Sequence, residues 1–423
     1  MWPLLPGRPA SRAIPRCNRY GQSGRHSELS QAGYLSRAQE YGLAATTAVV
    51  TANAYYIHPI IGEVARDFGV SDGAIGVVPA LNQIALAIGI FLLLPLGDRY
   101  SNRSLCILFV SLQTLAMLGM ALAAQFALFT LASTLLGFVT IAPYLLPAFA
   151  SKRVAPERLG QVTALLTAGV IFGILVARVG AGIVTEAFGW RTVYWIAASL
   201  MIAVTLMLPF SMQSETVPEK RPSGSYRGLL ASVISLARQH KDVLNSALIQ
   251  GLNFGCFTAV WLALALHLTS PELGYGVDTV GYLAGIGAIS VLTTPRIGRW
   301  ADHVGPRRAR AIVAVLQFAG IALLYPFGFN AWVVLIPLTL INLVGPSVDV
   351  TSRMIFLALE PAIRTRLTTI YIVIMFIGGG FGSVLGTAIY DGYGWAGTCL
   401  LVTMASATIS LLALANFRRF GAR

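Results

Sequence analysis

Three charged side chains carry the chemistry this sequence could do, because each sits where charge is costly. Asp349 and Arg353 fall inside an apolar run near residues 332–356, four positions apart and hence on one face of a helix. Arg178 falls inside another, near 160–184. An ionisable group in a membrane helix costs roughly 2.5–3.5 kcal/mol on insertion scales, so one that is retained faces a cavity or a partner. Two readings of Asp349 and Arg353 stand: a structural ion pair, or a carboxylate that binds a proton or cationic substrate in one state and Arg353 in the other. Arg178 has three: anchoring on backbone carbonyls or tyrosine hydroxyls, contact with an anionic substrate group or a gate, or snorkelling toward the headgroups.

Catalytic chemistry fails on inventory. The chain has no GxxxxGK[ST] loop, no HExxH and no GxSxG, so nucleotide-driven, zinc-hydrolytic and serine-hydrolytic readings drop out. Gly378-Gly379-Gly380-Phe381-Gly382 lies within an apolar run, where close helix contact explains it better than phosphate binding. Cys17, Cys106, Cys256 and Cys399 are far apart and lack metal-ligand spacing; they read as small core residues. The expectation is no enzyme, no cofactor and no metal.

The elements that must position those charges follow from composition. Of 423 residues 56% are hydrophobic and only 11% charged, against about 25% charged in a soluble domain. At about 20 residues per crossing there is room for twelve membrane helices and little else. Apolar segments fall near 42–61, 73–94, 105–123, 126–150, 160–184, 192–210, 243–268, 279–295, 309–327, 332–356, 367–389 and 396–416. With alternating connections, 26 of the 30 Lys and Arg lie on one side, and only Arg66 and Arg191 on the other. That bias predicts both termini in the cytosol. It also assigns the net charge of +13 to the lipid boundary rather than to nucleic acid. The expected organisation is a disordered basic tail (1–41), a six-helix half (42–210), a central cytosolic loop with an amphipathic helix on the membrane surface (211–242), a second six-helix half (243–416) and a short tail (417–423). Asn82, Gln83 and Gln113 read as interhelical packing groups. His58 and His267, near outer helix ends, read as interfacial hydrogen-bonding groups, with pH sensing as the alternative.

The halves repeat. A shift of 205 pairs Pro156 with Pro361, Thr163 with Thr368, Gly173 with Gly378 and Gly189-Trp190 with Gly394-Trp395; a shift of 204 pairs Asp98 with Asp302 and Arg103 with Arg307. Duplicated halves place a cavity at their seam, exposed to each side in turn.

The loop Leu94-Pro95-Leu96-Gly97-Asp98-Arg99-Tyr100-Ser101-Asn102-Arg103 and its repeat Gly298-Arg299-Trp300-Ala301-Asp302-His303-Val304-Gly305-Pro306-Arg307-Arg308 resemble the signature loop of the major facilitator superfamily. Asn53-Ala54-Tyr55-Tyr56 with Pro59, Ala65 to Ser71, Phe188-Gly189-Trp190-Arg191 and the stretch Gly173 to Gly180 resemble its drug and metabolite efflux branch. The resemblance implies an all-α fold of twelve transmembrane helices in two pseudo-symmetric halves. It implies a multi-pass protein of the cell inner membrane that exports a small organic molecule in exchange for protons. An uncoupled facilitator, a proton symporter and a non-transporting sensor or scaffold of the same fold remain open. It further implies a cytosolic gate at Gly97, Asp98, Arg99, Arg103, Gly298, Arg299, Asp302, Gly305 and Arg307. There Asp98 would face the start of segment 11 and Asp302 the start of segment 5, attractions that break when that side opens. In the helices lining that family's cavity, Asn53, Tyr55, Tyr56, Tyr144, Gln250, Asn253, Trp261 and Asn342 join Arg178, Asp349 and Arg353 as candidates, each with helix packing as the competing reading.

Overall fold

A computed structural model describes residues 34–212, 226–357 and 364–420, which are helical with short connections and no strand. The first half holds α1 (Arg37–Ala52), α2 (Ile57–Phe68), α3 (Asp72–Ile75), α4 (Val77–Leu93), α5 (Asn102–Leu122), α6 (Phe126–Val139), α7 (Ala142–Ser151), α8 (Pro156–Phe188) and α9 (Trp190–Ser211). A linking helix, α10 (Tyr226–Gln239), leads to α11 (Lys241–Leu268), α12 (Val277–Ala284), α13 (Ile289–Val304), α14 (Pro306–Ala322), α15 (Leu324–Phe327), α16 (Leu335–Leu357) and α17 (Arg364–Phe420). Among the described residues nine helical stretches are long and apolar enough to cross a bilayer. The helix that holds the last of these, α17, is 57 residues long because two helices meet at Gly394.

Contacts sort the connections into two ends. At one, rich in arginine and here called the basic end, the Leu35 amide donates to the Arg153 carbonyl at 2.9 Å and Arg158 pairs with buried Glu40 at 2.7 Å. At the far end Arg191 pairs with Asp67 at 2.8 Å and lies 4.3 Å over the Trp190 ring. That clamp explains the Phe188-Gly189-Trp190-Arg191 stretch as structural.

Several expectations shift. The first helix starts at Arg37, inside the anticipated tail, because Ser36 and Gln39 form a reciprocal capping box. The first apolar segment breaks into α1 and α2 around 53–56 rather than running as one helix. His58 lies at the start of α2, inside the bundle, whereas His267 keeps the expected place in the last turn of α11. His58 is 1% exposed with neither ring nitrogen hydrogen-bonded, and His267 stacks on Trp395 at 4.8 Å. Cys106, Cys256 and Cys399 are buried free thiols; Cys17 lies outside the described residues.

The repeat is visible in backbone geometry. Gly189 (φ 80°, ψ 157°) and Gly394 (φ 62°, ψ −161°) turn the chain between helices, each followed by a buried tryptophan. Side chains beyond hydrogen are nearly excluded from that region at a cost of about 1–3 kcal/mol. Gly189→Ala and Gly394→Ala are therefore each expected to lower stability by about that much, read as a fall in melting temperature in detergent; unchanged melting would refute the turn geometry.

Small residues set the helix spacing. Gly251, Gly255 and Ala259 of α11 face Gly378, Gly382 and Gly386 of α17, and Gly169 and Gly173 of α8 face Ala44 and Ala48 of α1. The outer surface is apolar: Leu108, Leu112, Leu115 and Leu122 form one exposed face of α5, as lipid contact requires. This is a multi-pass membrane protein.

Candidate functional site

The two halves meet at the far end. Gly182 of α8 and Gly281 of α12 pack so closely that a Cβ on Gly182 would stand 2.8 Å from the Gly281 Cα. There Arg66 donates to the Thr269 carbonyl, the Val277 amide to Glu186 at 2.9 Å, and Thr387 to the Gly73 carbonyl at 3.3 Å. Toward the basic end this packing fades along α8 and α12–α13. Five residues of α12 are buried but only Ala301 of α13, and Gly160 near the start of α8 has nothing within 4 Å of its Cβ direction. Between the halves on the α4–α17 side lies a cavity of about 260 Å³ lined by Leu94, Tyr144, Arg364, Thr368, Thr369 and Ile372.

Asp349 and Arg353 form the expected i, i+4 pair: Arg353 Nε lies 2.9 and 3.0 Å from the two carboxylate oxygens. A third member was not visible in the sequence. The Tyr371 hydroxyl, fully buried on α17, donates to Asp349 Oδ1 at 2.6 Å, and the Arg353 guanidinium lies 4.9 Å over the Tyr371 ring. Asp349 and Arg353 keep 28% and 30% of their side-chain surface accessible. A hydrogen bond to a charged group contributes roughly 1.5–3 kcal/mol, less where water competes. Tyr371→Phe is expected to cost about 1 kcal/mol, seen as a lower melting temperature; no change would show the bond to be unimportant.

Arg178 lies deeper, at the far-end part of the seam. Its guanidinium stands 3.7 Å from the Trp261 ring centre and 5.4 Å from that of Phe257, both on the opposite half. It is 4% exposed, its Nε and one terminal nitrogen have no hydrogen-bond partner, and no carboxylate pairs with it among the described residues. Anchoring on carbonyls or tyrosine hydroxyls is thus not what holds those two nitrogens, and burial argues against snorkelling. Tyr55, near the break between α1 and α2, packs its ring 5.3 Å from that of His58, and Tyr144 lines the cavity between the halves.

The other candidates divide. Asn53 is buried with both amide atoms unbonded, and Tyr56 is buried near it. Gln250, Asn253 and Gln317 form a network that leaves Gln317 Oε1 buried without a partner: Gln317 donates to Asn253 Oδ1 at 2.6 Å, and Asn253 Nδ2 donates to Gln250 at 3.2 Å and the Gly345 carbonyl at 3.4 Å. Asn342 donates back to Leu338 at 2.8 Å. The bonds of Asn253 tie α11 to α14 and α16, as Asn82 on Ser133 (2.7 Å) and Gln113 on Thr140 (2.9 Å) tie their own helices to neighbours, whereas that of Asn342 stays within α16.

At the basic end Arg103 donates to the Pro209 carbonyl at 3.2 Å, Arg307 pairs with Asp242 at 2.9 Å, and Gly305 (φ 89°) ends α13. Gly97 sits tightly against Asn102 and Leu145, and Gly298 loosely against Val350. Arg299 and Asp302 are exposed, and α13 makes no extensive contact with α8 among the described residues, so the anticipated contact of Asp302 with the start of segment 5 is not made. The Asp98 side chain lies outside the described residues. Arg99 lies 5.8 Å over the Tyr226 ring, and the Tyr226 hydroxyl donates to the Leu92 carbonyl, tying α10 to α4. Burial raises that hydroxyl above the usual phenol value. On its other side α10 packs on α17 and α11; the side chains of Arg227, Leu229 and Ala237 lie outside the described residues.

The model of the Major Facilitator Superfamily matches residues 43–346 and 246–419. The chain belongs to the major facilitator superfamily. It is similar to an uncharacterized transporter, YgaY, of Escherichia coli O157:H7, 29% identical over 384 residues that cover 90% of this chain and 95% of that protein. More distantly it resembles the multidrug resistance protein MdtG of Salmonella choleraesuis, 24% identical over 242 residues covering 55% of this chain and 57% of MdtG. Its fold matches the crystal structure of a mutant of the nucleoside transporter NupG, with a TM-score of 0.73 at 14% identity, covering 90% of this chain and all of that one. The protein is a major facilitator superfamily transporter and not an enzyme.

Proposed function

We propose that this transporter spans the inner membrane twelve times, with both termini cytosolic, and exports a small organic molecule in exchange for protons. Counting α1 with α2, α3 with α4, α6 with α7, α12 with α13 and α14 with α15 as single crossings, and α17 as two, gives twelve. The arginine bias puts the basic end in the cytosol. In that frame the described state is closed outside and parted toward the cytosol along α8 and α13, a conformation ready to load cargo from within. The likeness to MdtG supports the outward direction.

The observation that carries proton coupling is the Asp349–Arg353–Tyr371 cluster, a carboxylate with partial solvent access beside the seam. Protonation would release Arg353, and rocking of the halves would carry the neutral acid between the two sides. The cytosolic gate residues act as the hinge-side lock: Asp302 is free to engage α8 only when that side closes.

Thermal unfolding of the purified protein against a panel of drugs and metabolites finds the cargo, since a ligand raises stability by RT ln(1+[L]/Kd). Proteoliposomes then decide the mode. Proton exchange predicts accumulation of that ligand only with a pH gradient. Equilibration without one would make the protein a facilitator, and binding without flux a sensor.

A further inference from the structure

A buried guanidinium without a partner is an unfinished site. Arg178 is held in the seam by the faces of Trp261 and Phe257, which stabilise its charge from the sides but leave Nε and a terminal nitrogen without acceptors. Both rings belong to α11 of the opposite half, so this arrangement exists only where the halves meet. His58 borders it, its ring centre 6.3 Å from that of Phe257 and 5.3 Å from that of Tyr55, with both nitrogens unpartnered. Asn53, two residues before Tyr55 at the break between α1 and α2, is likewise buried with its amide unsatisfied. Two orphaned polar groups beside a row of rings, Arg178 and His58, with a third, Asn53, close in the chain, are an arrangement that a ligand, not the protein, would complete.

We infer that Arg178 is the recognition point for a carboxylate-bearing aromatic cargo. The carboxylate would accept from the free guanidinium nitrogens, a pairing whose planar fork geometry suits Arg better than any other side chain. The aromatic body would lie against Tyr55 and the stacked Phe254 and Phe257, 5.7 Å apart and only 9° from parallel, which keep accessible surface. The charge fits the place. A second cation would be repelled, and a neutral cargo would leave the guanidinium unpaired in a dry site. This deepens the transport reading and rests on it only for the word cargo, since equilibrium binding needs no flux.

The test uses the full-length protein in detergent with benzoate, phenylacetate and indole-3-acetate, each beside its primary amide. Affinity is read by tryptophan fluorescence and by thermal unfolding. At least one acid is expected to bind tenfold or more tightly than its amide. Arg178→Gln should abolish that preference, and Arg178→Lys should keep part of it, both eluting as folded protein. Amides binding as well as acids, an acid preference that survives Arg178→Gln, or no stabilisation by any acid would each overturn the proposal. Acid-selective binding without pH-driven transport would instead leave this site standing and sink the proton-coupled reading.

Discussion

Asp349→Asn is expected to abolish accumulation driven by a pH gradient while leaving downhill exchange of the same ligand within a few fold. Asparagine has nearly the shape of the carboxylate and can still accept from the Tyr371 hydroxyl, now at 2.6 Å. What it loses is the charge that holds Arg353 at 2.9 and 3.0 Å, and with it the ability to take up a proton. The helices and the seam should stay intact, so a coupled carrier becomes an uncoupled one. At least a tenfold loss of the accumulation ratio, against an unchanged melting temperature within a few degrees, is the expected pattern. Unchanged accumulation would remove Asp349 from the mechanism, whereas loss of coupled and downhill movement together would mark the pair as structural.

Gly378→Val is expected to prevent assembly of the folded protein. A Cβ at 378 would stand 2.2 Å from the Gly251 carbonyl oxygen, and one at 382 would stand 2.2 Å from that of Gly255. Both obstacles are backbone, so no rotamer change relieves them and α11 and α17 must move apart along their length. Overpacking a core usually costs about 1–3 kcal/mol, and here the shift would also loosen the packing of the neighbouring small residues. The duplicated position Gly173, 2.2 Å from the Ala48 carbonyl oxygen, should fail in the same way. Gly160→Ala, in open space, should be neutral or slightly stabilising. The readout is the monodisperse fraction after extraction; equal yields for all three would contradict the close packing.

Period and composition made the helices legible, because lipid demands long apolar runs whatever the tertiary detail. The internal shift of 205 also located real geometry: Gly189 and Gly394 share a turn, and Gly173 and Gly378 share a close approach. The Asp349–Arg353 pair was readable from i, i+4 spacing alone. Tyr371 was not, since its partner lies 22 residues away and one tyrosine in an apolar run carries no spacing signal. Gln317 and Arg310 escaped for a similar reason. Arg310 belongs by sequence to a basic loop, yet it is fully buried with one bond to Ser246 at 2.9 Å. Which half Arg178 would lean on could not be read either, because contact across the seam depends on how two bundles dock.

The central claim is that the halves rock about the seam, closing one end as the other opens. The most direct measurement is a pair of spin-label distances in the same reconstituted protein, between positions 161 and 299 at the basic end and 188 and 272 at the far end, all exposed. On lowering the pH or adding ligand, the first distance is predicted to shorten in the population where the second lengthens. Two distances that stay fixed, or that lengthen together, would contradict the account.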